Sequence, residues 1–127
     1  MEAKEIDKYL KNRIKDMKGI EAIKGLISKK DSIALLDIED IKAVLDNSKG
    51  IHIFSGDEDD FAKRVKEPHK IKSVVINLEA PEDTSLDIVR SAIGNITDKM
   101  DKDVRVVWGA KINEKAEKIT FTAVLGY

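Results

Sequence analysis

The chain has no cysteine, which excludes a disulfide framework, a thiolate zinc site, an iron–sulfur cluster and a thiol nucleophile. It has no apolar run of signal-peptide or membrane-span length. The opening MEAKEIDKYLKNRIKDMKG is charged every two or three residues, so a cytoplasmic protein is expected. Neither charge sign dominates. With 23 basic and 24 acidic residues, no counterion-release argument favours nucleic acid as a partner. The seven glycines are scattered, at 19, 25, 50, 56, 94, 109 and 126, so no cluster of bare backbone can converge on a phosphate. Ser55 and Gly56 come nearest to such a loop, but four carboxylates follow them. The two histidines, His52 and His69, have no metal-ligand spacing to Asp, Glu or each other. The sequence therefore predicts no cofactor and no metal of its own.

What remains is a composition of 42% hydrophobic and 37% charged residues over 127 positions, enough for one domain with a core. Ile6, Leu10, Ile14, Met17, Ile20, Ile23 and Ile27 recur at spacings of three and four, predicting an amphipathic helix over about 3–29. Gly19 and Gly25 weaken it, so the helix requires packing to be ordered. Unpartnered, such a stripe favours self-association, and a homodimer or domain-swapped contact through residues 3–29 is expected. Charge is uneven as well: residues 1–30 carry nine Lys/Arg against five Asp/Glu, and the remainder of the chain is net acidic.

After an apolar connection at 33–36, a second helix begins near Asp37, with Ile38, Ile41, Val44 and Leu45 as its buried stripe. Residues 51–54 read as a strand, and Asp57, Glu58, Asp59 and Asp60 open a helix whose dipole they complement before Pro68 forbids continuation. Ile71–Leu78 is nearly continuously apolar, as a strand covered on both faces would be. Ser85 or Thr84 caps a helix with Leu86, Val89, Ile93, Ile96 and Met100 on one stripe. Two strands follow, around 104–108 and 119–125, and as neighbours in sequence they are expected to pair antiparallel. The predicted fold is a two-layer α/β sandwich: a four-stranded, mostly mixed sheet with two packed helices, preceded by two N-terminal helices.

Asp37 and Asp40 lie three apart at a helix start. Their carboxylates suit either capping and first-turn charge, or orienting a water and facing a cationic surface. Trp108 reads as a core residue or an interface anchor.

The string LLDIEDIKAVLDNSKGIHIFSG, residues 35–56, resembles the segment that follows the core helix in FtsZ, the tubulin-like cell-division GTPase family. VVINLEAPEDTSLDIVRSAIGNI and DVRVVWGAKINEKAEKITFTAVLGY are similar to the strand, helix, strand, loop and final strand of that family's C-terminal domain. The resemblance implies that residues 1–34 correspond to the core helix and 35–127 to the C-terminal, activating domain, with no counterpart of the N-terminal GTPase half. It further implies that Asp37 and Asp40 act in trans, polarising the attacking water in the nucleotide pocket of an adjoining FtsZ-like GTPase subunit. GTP would then be met only through that partner. Leu35 stands where the family has Asn, and Glu79, Ala80 and Pro81 replace a glycine pair. Two alternatives remain: a fragment of a complete FtsZ-like GTPase, and a small stand-alone enzyme with carboxylates as acid and base.

Overall fold

The computed structural model describes residues 8–12, 32–34 and 38–127, with the backbone alone for 32–34, 38 and 40. Five strands form one sheet: β1 (Ser32–Ala34), β2 (Ile51–Gly56), β3 (Ser73–Ala80), β4 (Arg105–Ile112) and β5 (Thr120–Gly126). Three α-helices alternate with them, α1 (Ile38–Asn47), α2 (Glu58–Arg64) and α3 (Leu86–Thr97), and a single 3₁₀ turn spans Pro68–Lys70. Residues 8–12 are also helical. The helix expected over 3–29 otherwise lies outside the described residues.

The strand order is β1-β4-β3-β5-β2. β3 pairs parallel with β4 and antiparallel with β5, and β5 pairs antiparallel with β2. The mixed sheet of four main strands is as the sequence predicts, with the three-residue β1 added at the edge where an irregular connection was expected. The expected pairing of β4 with β5 does not occur, because β3 lies between them. The β3–β4 pairing runs to the end of both strands, where the Asn113 N–H donates to the Ala80 carbonyl (2.9 Å), and the chain leaving β4 crosses that end to reach the other side of β3.

β3 shows why one strand needs two neighbours. Val74, Ile76, Leu78 and Ala80 are fully buried against Phe54, Phe61, Val89, Ile93, Ile96, Phe121 and Leu125, which joins α2 and α3 to one face of the sheet. Val75 points to the opposite face, where Val124, Ile41, Val44, Leu45 and Leu10 close a second, smaller core. The preceding helix α1 thus covers the other side of the sheet, and an apolar row Val107–Val75–Val124–Ile53 runs beneath it. Residues 8–12 pack on α1: Leu10 is buried there, and the Tyr9 hydroxyl donates to Asp46 Oδ1 at 2.6 Å. In the described part of the N-terminal helix, the apolar stripe is therefore turned into the chain's own core.

Local chemistry sets each helix end. Asp57 and Asp60 form a capping box: the Asp60 N–H donates to Asp57 Oδ1 (2.8 Å) and the Asp57 N–H to Asp60 Oδ2 (3.0 Å). Ser85 caps α3 by accepting from the Ile88 N–H. At the end of α1, the Ser48 hydroxyl donates to the Val44 carbonyl (2.7 Å) and lies 3.2 Å from the Ser73 hydroxyl. The pair crowds Gly126: a Cβ there would meet the Ser48 and Ser73 hydroxyls, which would have to turn aside.

Candidate functional site

The segment singled out by sequence leads from β1 into α1. β1 is anchored to β4 through Ser32 opposite Lys111 and Ala34 opposite Ala110, with an irregular register between them. α1 is anchored by Ile41, Val44 and Leu45 in the second core. Residues 35–37, which join these two elements, lie outside the described residues. Asp37 lies outside the described residues; Asp40 is the third residue of α1, in its first turn. An acidic residue there complements the helix dipole, so the capping reading and the water-orienting reading of Asp40 place the same residue type at the same position.

Beside β1, the ends of β3 and β4 form a polar corner. Glu79 and Lys111 are register partners and make an ion pair of 3.3 Å, and the Asn113 side-chain amide donates to Glu79 at 3.2 Å. Each charge in this corner is half-buried and matched. Next along the same sheet face comes a row of Gly109, Asn77, Thr122 and Ser55. Asn77 is the buried polar side chain among the described residues. Its signal in the sequence was a lone amide inside the apolar run VVINL, which the periodicity argument passed over.

The acidic run after Gly56 divides its work. Asp57 accepts from Lys118 Nζ at 2.6 Å and caps α2, while Asp60 pairs with Arg64 at 3.3 Å. The Lys118 hydrogen bond, reinforced by the Asp60 amide, holds the Asp57 carboxyl at about 2, below its ordinary 3.8. Because the folded value is depressed, the stabilisation it reports is complete above the unfolded value and is lost as pH falls from about 4 through 2. Carbon-detected NMR titration is expected to place the Asp57 midpoint near 2 in the native chain. In Lys118→Met it rises toward 3.8. An unchanged midpoint would show that the capping amide alone sets it.

Among the described residues, no group of three His, Cys, Asp or Glu side chains is arranged to hold a metal ion. His52 is exposed on β2, and Trp108 is partly buried against the larger core, on the core side of its two expected roles. No helix of the described residues is long and apolar enough to cross a membrane.

A mixed sheet with two helices on one face and a helix on the other is the fold shared with solved structures of the FtsZ/tubulin class. The chain resembles that family in both sequence and fold. It is 29% identical over 114 residues to cell division protein FtsZ 1 of Methanocaldococcus jannaschii, covering 77% of this chain and 31% of the relative. It is 26% identical over 122 residues to FtsZ 1 of Archaeoglobus fulgidus, covering 86% and 33%. An M. jannaschii FtsZ dimer superposes with a TM-score of 0.64 at 24% identity, over 85% of this chain and 36% of that one. CetZ from Methanosaeta thermophila gives 0.58 at 12% identity, over 86% and 34%. The chain spans about a third of the length of the curated relatives it matches. No family model matches it.

Proposed function

We propose that this chain is an assembly or interaction module of a tubulin-like cell-division system, working in the cytoplasm. Its acidic segment, carrying Asp37 and Asp40, is offered to the nucleotide face of an FtsZ-like GTPase subunit. The observation that carries the reading is the match itself: three-quarters or more of the chain aligns with FtsZ sequences while spanning a third of them. The scattered glycines add that the chain has no phosphate cradle of its own, so GTP enters only as the partner's nucleotide. The position of Asp40 in the first turn of α1 is compatible with the same reading, because carboxylates that position a water must be held in place before the substrate arrives.

The test is to add the chain to a purified FtsZ-type GTPase and follow GTP turnover and polymer mass. A changed rate is expected, and Asp40→Ala is expected to lower the stimulated component by about 10²-fold, the usual cost of removing one pre-aimed electrostatic group. Unchanged turnover and no binding at saturating concentration would discard the module reading. The one-third coverage also favours a second reading, that the chain is part of a complete FtsZ-like GTPase. In that case the genomic reading frame extends upstream through a glycine-rich nucleotide loop, and the same carboxylates serve the next subunit of its own kind.

A further inference from the structure

We infer that the end of the sheet opposite Asp40 is a docking surface for an acidic segment of a partner protein. Backbone hydrogen bonds bring four parts of the chain together there. The Lys49 N–H donates to the Tyr127 carbonyl (2.8 Å), the Lys72 N–H to the Gly126 carbonyl (2.8 Å), and the Arg105 N–H to the Lys72 carbonyl (2.9 Å). The Asp101 N–H donates to the Ile71 carbonyl (3.1 Å), which fastens the turn carrying Lys99 and Lys102 to the same end. Lys66 enters from the short link between α2 and the 3₁₀ turn. All six cationic residues are exposed, and none has an ion pair among the described residues.

The carboxylates of these turns do not balance them. Glu67 pairs with Lys70 at 3.2 Å, and Asp101 Oδ1 accepts from the Asp103 N–H at 2.8 Å, which leaves Asp98 and Asp103 against six cations. The other end of the sheet carries the acidic run 57–60 and Glu79, so charge is separated along the strands. A domain polarised in this way turns its basic end toward negative charge on approach.

Three kinds of polyanion answer to such charge, and the surroundings favour one. A membrane needs apolar anchors beside the cations, but the exposed large apolar side chains, Leu86 and Ile88, stand at the start of α3, at the far end of the domain. A nucleic acid strand needs an aromatic face for its bases and unbroken positive charge for its phosphates. Tyr127 is packed against the larger core, and Asp98 and Asp103 interrupt the cations. A protein segment sets each of its charges separately, so its carboxylates can meet the lysines while its other residues pass the two aspartates.

α1 is about 15 Å long and runs from Asp40 to this end, where Ser48 meets Ser73. Docking here does not compete with the proposed GTPase contact and does not depend on it.

The probe is a fluorescein-labelled peptide alternating Glu and Ser, titrated with the 127-residue chain alone and followed by anisotropy. Saturable binding with a Kd of about 100 μM or below is expected at about 50 mM NaCl, weakening at least about tenfold at about 500 mM. Lys72→Glu/Arg105→Glu is expected to weaken it at least about tenfold, and Lys115→Glu, in the turn after β4 at the opposite end, by less than about twofold. Lys99→Glu/Lys102→Glu, in an exposed turn, is expected to act like the first pair and remains informative if that pair folds poorly. Amide shifts on adding the peptide are expected at Lys49, Lys72 and Arg105. Absence of binding at low salt would overturn the proposal, as would equal binding by native and charge-reversed chains, or shifts confined to the opposite end. Tighter binding of poly(U) RNA or of phosphatidylserine vesicles than of the peptide would overturn the assignment to a protein segment.

Discussion

Phe61→Ala is expected to lower the unfolding free energy by about 3–5 kcal/mol, the range for truncating a large aromatic in a core that cannot collapse around the void. Phe61 is fully buried, and its ring meets Phe54 edge-on, with centroids 5.4 Å apart and planes at 86°. α2 has only seven residues and buries Phe61 as its one fully enclosed side chain, so that ring is what fastens the helix to the sheet. A helix this short cannot hold itself together by its own hydrogen bonds. Urea unfolding followed by circular dichroism measures the loss, and Phe61→Leu, which keeps most of the volume, is expected to cost no more than about 1.5 kcal/mol. A loss below about 1.5 kcal/mol for the alanine variant would mean that α2 is not packed as described.

The second large effect is at Gly56, which joins β2 to α2 with a φ of 154°. An L side chain strained into that region costs on the order of 1–3 kcal/mol. Space compounds the problem, because an added Cβ would lie 2.7 Å from Asp60 Cβ, an atom fixed by the helix backbone and unable to swing aside. Relieving the overlap breaks the reciprocal bonds between Asp57 and Asp60, worth about 1 kcal/mol more. Gly56→Ala is therefore expected to cost about 3 kcal/mol in all. Asp57→Ala, which removes the cap and spares the backbone, is the control at about 1 kcal/mol. Equal losses for the two in thermal or denaturant melts would show that the cap alone matters and that the backbone relaxes freely.

Much of the fold was legible in the sequence because its signals are local. Apolar spacing marked α1 and α3, the acidic run before Phe61 marked the start of α2, and Ser85 announced its helix. The unbroken apolar run at 74–78 identified a strand buried on both faces, which β3 is. Pairing was harder. β4 and β5 are consecutive, yet what separates them is β3, threaded in from some thirty residues upstream of β4, and no residue of either strand carries a mark of that neighbour. β1 was missed for a similar reason: three residues have no periodicity, and theirs is a strand only because β4 offers it an edge.

The site divides the same way. The pair Asp37 and Asp40 is visible as spacing, and resemblance gives it a role; the helix start is a matter of backbone geometry, which places Asp40 in the first turn of α1. The basic end of the sheet was not legible, since Lys49, Lys72 and Arg105 come from three parts of the chain that meet only once the sheet is built. Sequence showed their charges scattered among acidic residues and was silent on the end they share.

The place of β5 has a consequence for how the molecule assembles. β2 is synthesised early, but its sole ladder partner among the described residues is a strand about seventy residues later, with Ile51 meeting Gly126 and Gly56 meeting Phe121. Until β5 arrives, β2 and β3 have an empty lane between them, and neither can satisfy its backbone there. Closure of this domain is thus a late, long-range event that zips both sides of one strand at once. Folding should be slow for the domain's size and all-or-none, with a nascent chain ending before residue 120 depending on chaperones to keep the open lane from capturing a foreign strand.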